Sequence, residues 1–171
     1  MITSPAYLTL KARIKEELNN IERLENSLKK LGLFPGIKTD NLNGLPLADE
    51  ISRRVIGSFL HDYYCGLEKA FVHIAESFEE SLPANDKWHK KLLEQMTLEI
   101  PGVRVPVIKK ETMVKIDELR GFRHVFRNAY GFDIDPEKEQ ALLNNLADIS
   151  SSVKANINSF FAEMDKIILG S

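Results

Sequence analysis

A run of cationic and phenolic side chains near the end of the chain has the residue types best suited to chemistry. Read as a helix at about 100° per residue, residues 119–130 place four such side chains within an arc of about 80°: Arg120, Arg123, Arg127 and Tyr130. The opposite face is apolar: Leu119, Phe122, Val125, Phe126 and Ala129. Because a planar guanidinium meets two phosphate oxygens at once, this stripe predicts a site for nucleic acid or a nucleotide.

Two plainer interpretations of the stripe stay open. The arginines could form a solvated helix face that pairs with acidic neighbours such as Asp117, Glu118 or Asp133. They could also line a homodimer interface, where arginine is enriched. Tyr130, at the predicted end of the helix, is then a half-buried packing residue with a hydrated hydroxyl.

The elements that must position this stripe are helices. The first is predicted to begin with Ser4 as N-cap and Pro5 at the first helical position, and to end near Leu31 before Gly32. A loop follows over residues 34–46. The second helix is predicted over 48–80, and its aromatic content suggests a central position in the core: Phe59, Tyr63, Tyr64, Phe71 and Phe78.

The second half of the chain continues the helical pattern. Asn85 is predicted to cap a short helix over 86–98, and residues 100–107, with two prolines, form a fixed extended connector. The helix that carries the arginine stripe spans 111–130, closed by Gly131. Asp135 caps the last helix, which Pro136 opens and which runs to about residue 169. No convincing β-pairs are expected. The predicted fold is therefore an all-α, antiparallel up-and-down bundle of four long helices plus one short helix, as a single domain over 1–171.

Composition limits the function classes. The net charge of −2 over 171 residues means that affinity for phosphates must come from a local patch. The single cysteine, Cys65, fits a reducing compartment, and no signal peptide or membrane span is visible, so we expect a cytoplasmic protein. There is no Glu-x-x-His, Walker loop or dinucleotide turn, which leads us to expect neither metal nor cofactor.

Residues 60–135 resemble the HEPN superfamily, and specifically the HepT-like ribonuclease toxins. The hallmark of that family is an arginine followed four to six residues later by a histidine, often with a tyrosine two residues beyond. The matching positions here are Arg123, Asn128 and Tyr130, with asparagine in place of histidine. Residues 60–68 (LHDYYCGLE) and 86–93 (DKWHKKLL) are also similar to stretches of HepT-like proteins.

The resemblance implies metal-independent RNA cleavage in a HEPN-like homodimer. A histidine would move a proton during attack of the ribose 2′-hydroxyl, and an arginine, here Arg123, would stabilise the charge on phosphorus. Tyr130 would be the residue that a partner nucleotidyltransferase antitoxin adenylylates to silence the toxin.

Asparagine cannot take up a proton near neutral pH, so the motif is degenerate at Asn128. His124, about 40° away on the same helix face, could supply the imidazole together with Arg120. The leading hypothesis is an RNA-cleaving or RNA-binding HepT-like toxin or defence protein that uses Arg123, Arg120 or Arg127, and His124. The alternatives are a catalytically silent HEPN module that binds a partner protein or nucleotide, and a purely structural helical adaptor.

Overall fold

A computed structural model describes residues 2–79 and 87–170, and it shows an all-α bundle. Five α-helices follow one another along the chain: α1 (Ser4–Lys30), α2 (Glu50–Glu79), α3 (Trp88–Met96), α4 (Lys110–Asn128) and α5 (Pro136–Leu169). A short 3₁₀ turn, Gly131–Asp133, joins α4 to α5. The predicted all-α bundle of four long helices and one short helix is confirmed.

Helix α2 is the centre of the bundle, because it packs against each of the other four α-helices. Its tyrosines Tyr63 and Tyr64 and its Phe71 are buried, as the aromatic content of this segment predicted. The core then extends along the apolar stripes of α1 and α5, with residues such as Ile21 and Phe160 fully buried. Any side chain on the inner face of α2 can therefore meet groups from several helices.

The loop after α1 contains a small element that the sequence analysis did not expect. Asn41–Leu42 (β1) pairs antiparallel with Leu45–Pro46 (β2), and Asn43 and Gly44 form the turn with positive φ angles of 51° and 85°. Asn-Gly is the sequence most favoured in such two-residue hairpin turns. The expectation of no β-pairs was therefore wrong, because Asn43-Gly44 was interpreted as a turn in a loop without pairing the residues on either side of it.

Several helix ends differ from the predicted ones. Thr3, rather than Ser4, caps α1, since its hydroxyl accepts from the Ala6 amide at 3.4 Å. Helix α3 ends at Met96, two residues early, and the predicted cap Asn85 lies outside the described residues. At α5 the prediction is confirmed: the Asp135 carboxylate accepts from the amides of Glu137 and Lys138.

Helix α4 ends at Asn128 instead of Tyr130. The Asn128 side chain turns back and donates to the His124 carbonyl at 2.8 Å, and Ala129 and Tyr130 are extended. Gly131 is buried and packs closely against the Arg54 side chain, since a Cβ at this position would lie 2.4 Å from Arg54 Nε. Tyr130 is therefore not on the helical stripe, and the predicted continuous arc from Arg120 to Tyr130 was wrong at its last member.

Contrary to the prediction, the connector between α3 and α4 is not extended throughout, because residues 101–103 form a turn that hydrogen bonds between Ile100 and Arg104 close. Arg104 is buried within it, and its guanidinium donates to the carbonyls of Gln95, Leu98 and Val105 and to the Glu79 carboxylate. This arginine ties the connector to α2 and α3, which sets where α4 begins.

Candidate functional site

Arg123 of α4 lies in a polar cluster between helices rather than on an open surface. Its guanidinium carbon is 5.9 Å from the ring centroid of Tyr64, and its Nη2 is 3.9 Å from Glu68 Oε1. That distance is too long for a direct hydrogen bond, so the contact is electrostatic. The side chain is 13% exposed. Because Tyr64 and Glu68 are four residues apart on α2, one face of that helix presents both to α4.

Glu68 also binds a histidine from a third helix. Its Oε2 is 2.5 Å from Nδ1 of His89, in the first turn of α3. The His89 imidazole stacks against the neighbouring Trp88 ring, with 3.8 Å between ring centroids. The side chains of Glu68 and His89 are 10% and 22% exposed, so the pair sits at the edge of the core with limited access to solvent. We refer to Tyr64, Glu68, His89, Arg120 and Arg123 as the Glu68 cluster.

Arg120, one turn before Arg123, completes the cluster. It donates from Nε to Asp117 at 2.6 Å, and this hydrogen bond is the main reason that its pKa is raised. The charge of Glu68 raises it further. The expected pairing of an arginine with an acidic neighbour therefore holds for Arg120 and Asp117.

Two buried donors of this cluster make no close hydrogen bond among the described residues. These are Nε of Arg123 and the hydroxyl of Tyr64, and the hydroxyl interacts with the Glu68 carboxylate. Burial raises the pKa of Tyr64, and the negative charge of Glu68 adds to this effect, while Arg120 and Arg123 oppose it. The phenol therefore stays protonated and able to donate. Buried donors without a partner are uncommon, and a water molecule or a ligand oxygen is often their acceptor.

The other predicted site residues lie outside this cluster. His124, Arg127 and Asn128 are exposed on the surface of α4, and the Asn128 amide is bonded to its own helix. Tyr130 is 68% exposed on the link after α4, where its ring stacks on Phe132 with 5.2 Å between centroids. The structure therefore brings Arg120 and Arg123 together and separates them from the rest of the predicted set.

Sequence reasoning missed Glu68 and His89. Both residues were quoted as parts of stretches that are similar to HepT-like proteins, with no role assigned to either. A signal was present on α2, because Glu68 lies on the same helix face as Tyr64 and within an otherwise apolar pattern. Its partners could not be read from spacing, since they belong to two other helices.

A cleft beside α4 is lined by other residues of that helix. It has a volume of about 500 Å³ and a mostly apolar lining that includes Phe122, Val125 and Leu142. Among the described residues, no group of three or more histidine, cysteine or acidic side chains is placed to hold a metal ion. None of the helices within 2–79 and 87–170 has the length and apolar character needed to cross a bilayer.

A comparison with protein-family models matches residues 55–164, more than half of the chain, to the family described as HepT-like protein. The chain belongs to the HepT-like family. It is therefore a HEPN-superfamily protein of the toxin and defence class, a class whose toxins generally pair with an antitoxin. The matched segment contains the whole Glu68 cluster. A search of curated proteins and a search of solved structures each found no match.

Proposed function

We propose that this HepT-like protein is an RNA-cleaving toxin whose phosphate site is formed by Arg123 and Arg120. The observation that carries the proposal is the pair of buried, unsatisfied donors, Arg123 Nε and the Tyr64 hydroxyl. Both need an acceptor, and a phosphodiester offers two oxygens that carry negative charge. A guanidinium and a phenol directed at those oxygens stabilise the charge that grows on them during cleavage.

The two guanidiniums of the site support an anionic ligand of modest size. Arg120 and Arg123 contribute two positive charges that Asp117 and Glu68 balance, so an anion would be held mainly by hydrogen bonds from the guanidiniums. The chain as a whole is slightly acidic at −2, so binding would depend on this local patch. Arg127 is exposed one turn further along α4, and we expect it to contact a neighbouring phosphate of the same strand.

RNA cleavage by Arg123→Ala tests the proposal directly. Removing a group that stabilises the charged transition state typically costs 10²–10³ in rate, so we expect a loss of about that size on a labelled single-stranded RNA. Arg13→Ala, at an exposed position on α1, is the matched control and should cleave at the wild-type rate. Circular dichroism and thermal unfolding must show that Arg123→Ala is folded. Equal cleavage by both variants would remove Arg123 from the chemistry.

The second part of the proposal concerns Tyr130 and a nucleotidyltransferase antitoxin. Tyr130 is 68% exposed on an extended link, so its hydroxyl is open to an enzyme that transfers an adenylyl group. Intact-mass measurement after incubation with the partner and ATP should show added AMP on the wild type and none on Tyr130→Phe. Modification of Tyr130→Phe to the same extent would show that another residue is the acceptor. The expected homodimer is likewise a proposal, to be checked by light scattering of the purified protein.

A catalytically silent module of the same fold is the second candidate function. It is favoured by Asn128, because this residue occupies the histidine position of the motif and its amide is bonded to the His124 carbonyl. In that case the protein would bind a partner or nucleotide without cleaving RNA. Asn128→His separates the two functions: a gain of cleavage from an inactive wild type would favour the silent module.

A further inference from the structure

The Glu68 cluster contains an imidazole that the arginine motif does not include. His89 comes from α3, 34 residues before Arg123, yet both contact the Glu68 carboxylate. Oε2 holds His89 at 2.5 Å, and Oε1 faces Arg123 at 3.9 Å. One carboxylate therefore fixes a proton-transfer group and a phosphate-binding group side by side.

The hydrogen bond also determines which ring nitrogen is available. A carboxylate can only accept, so its contact with Nδ1 requires a hydrogen on that nitrogen. In a neutral imidazole the lone pair then lies on Nε2, on the side of the ring away from Glu68. A carboxylate that holds a histidine in this tautomer is the arrangement by which serine hydrolases prepare their general base.

Burial and access fit the same role. Glu68 is 8% exposed, which shields its charge and strengthens its hold on the ring, while the His89 side chain is 22% exposed. The Trp88 ring packs against the imidazole, tilted by 31°. The buried donors of Tyr64 and Arg123 interact with the same carboxylate, and they mark where an acceptor oxygen would bind.

We propose that His89, oriented by Glu68, is the proton-transfer residue of this protein and does the work that Asn128 cannot do. This inference rests on the proposed function. His89 would be a catalytic residue because it touches the ribose, and Glu68 a positioning residue because it acts through His89. The substrate class is single-stranded RNA, since the step requires a 2′-hydroxyl beside a phosphodiester that the cluster can reach.

The step balances without a metal or cofactor. Nε2 of His89 takes the proton from the ribose 2′-hydroxyl while the 2′-oxygen forms a bond to phosphorus. The bond from phosphorus to the 5′-oxygen breaks, and that oxygen takes a proton from water. The products are a 2′,3′-cyclic phosphate and a 5′-hydroxyl end, and the imidazolium returns its proton to solvent. Arg123 and Tyr64 donate to the phosphoryl oxygens throughout.

His89→Ala is the central test, with His73→Ala as its matched control. His73 is a half-buried histidine of α2, but it lies five residues after Glu68 and therefore on a different face of that helix. We expect His89→Ala to cleave labelled single-stranded RNA 10²–10⁴-fold more slowly than the wild type, and His73→Ala to cleave at the wild-type rate. Added imidazole should restore part of the rate to His89→Ala alone, which a purely structural role would not allow.

Glu68→Gln tests the positioning role separately. A glutamine amide can donate to Nδ1 and so stabilise the tautomer with its hydrogen on Nε2, which cannot accept a proton. We therefore expect kcat to fall by about 10²-fold or more with KM nearly unchanged. A fall in kcat/KM caused by KM alone would assign Glu68 to substrate binding and contradict this role.

The outcomes separate this inference from the proposed function. If Arg123→Ala loses cleavage while His89→Ala keeps it, the protein is a ribonuclease and His89 is not its base. If the wild type cleaves no RNA, both ideas fail together. A DNA oligonucleotide of the same sequence should remain intact, because it lacks the 2′-hydroxyl, and its cleavage would overturn the proposed step. Loss of rate in His89→Ala without imidazole rescue, in a protein with lowered thermal stability, would reduce His89 to a structural link between α2 and α3.

Discussion

Two buried glutamates, Glu25 and Glu68, show how a structural polar cluster differs from a candidate site. Glu25 on α1 accepts from the Tyr63 hydroxyl at 3.0 Å and the Ser150 hydroxyl at 2.5 Å, and it pairs with Lys154 at 2.9 Å. Each of these partners is satisfied by the contact. Glu68 instead holds its partners on one side, while Arg123 Nε and the Tyr64 hydroxyl make no close hydrogen bond among the described residues.

The comparison shows that a structural cluster and a candidate binding site differ in how many of their hydrogen-bond donors have an acceptor. Polar groups that hold helices together gain most when every donor has an acceptor, as around Glu25, where α1, α2 and α5 meet. A binding site has to keep donors available for its ligand, and the free protein is less stable as a result. Adjacent residues of α2 show the contrast, because Tyr63 serves the complete cluster and Tyr64 serves the incomplete one.

A third buried acid, Glu139, has no hydrogen-bond partner among the described residues, and we expect it to have the largest effect on stability. Glu139 on α5 is fully buried, and neither of its oxygens has a hydrogen-bond partner among the described residues. Burial raises its pKa to about 8 from 4.5, although Arg53 of α2 opposes the shift. The folded chain therefore keeps this proton up to about pH 8, while the unfolded chain releases it near pH 4.5.

The resulting pH dependence has a definite sign. The contribution of Glu139 to stability is complete below about pH 4.5 and is lost as pH rises through about 8. We expect the difference in free energy of unfolding between Glu139→Gln and the wild type to grow in favour of the variant by about 4 kcal/mol from about pH 5 to about pH 9. Urea unfolding at a series of pH values measures this difference. A difference that does not change with pH would mean that Glu139 is ionised in the folded protein.

Removing the acid from the complete cluster should have the next largest effect. Glu25→Ala leaves the buried hydroxyls of Tyr63 and Ser150 without their acceptor, and each unsatisfied group costs about 1–3 kcal/mol. We expect a loss of about 3 kcal/mol in urea unfolding. RNA cleavage should stay near the wild-type rate at temperatures where the variant is folded. A large loss of cleavage in folded Glu25→Ala would erase the distinction between the two clusters.

The paired variants Tyr63→Phe and Tyr64→Phe sharpen the comparison at a smaller scale. Tyr63→Phe removes a hydrogen bond to Glu25 and should cost about 1 kcal/mol with little effect on cleavage. Tyr64→Phe removes a buried hydroxyl that makes no close hydrogen bond, so stability should be unchanged or slightly higher while RNA cleavage falls. Thermal unfolding and cleavage assays on both proteins test this crossed pattern, and the reverse pattern would refute it.

The smallest effect is expected at Asn128. Its amide bonds to an exposed carbonyl at the end of α4, so Asn128→Ala should cost about 0.5 kcal/mol or less. Cleavage should be unchanged if His89 moves the proton. A strong loss of cleavage in Asn128→Ala would return the chemistry to the arginine motif on α4.

Helices and helix caps, which depend on residues close together in the chain, were predicted well from the sequence. The bundle, the central position of α2 and the cap at Asp135 follow from helical periodicity and capping residues, which act over a few positions. Arg120 and Arg123 were predicted to share a face for the same reason. The end of α4 was missed: Ala129 and Tyr130 are extended, and Gly131 packs against Arg54 of α2, a contact between elements that spacing along the chain does not record.

The composition of the candidate site was beyond the sequence because its members come from three helices. Glu68, His89 and Arg123 meet only through the packing of α2, α3 and α4. Residue spacing carries no record of such contacts. Two arginines of the site were therefore predictable, whereas the carboxylate and imidazole beside them were not.

Tyr63 and Tyr64 are successive residues of α2, so one helix contributes both to the structural cluster around Glu25 and to the candidate site. A substitution that rotates α2 by a few degrees to relieve strain on the Tyr63 side must swing Tyr64 and Glu68 by the same angle. Variation at distant core positions should then change the rate of the proposed RNA cleavage without abolishing folding. Attenuated forms would arise from repacking in the interior as readily as from changes to the arginines themselves.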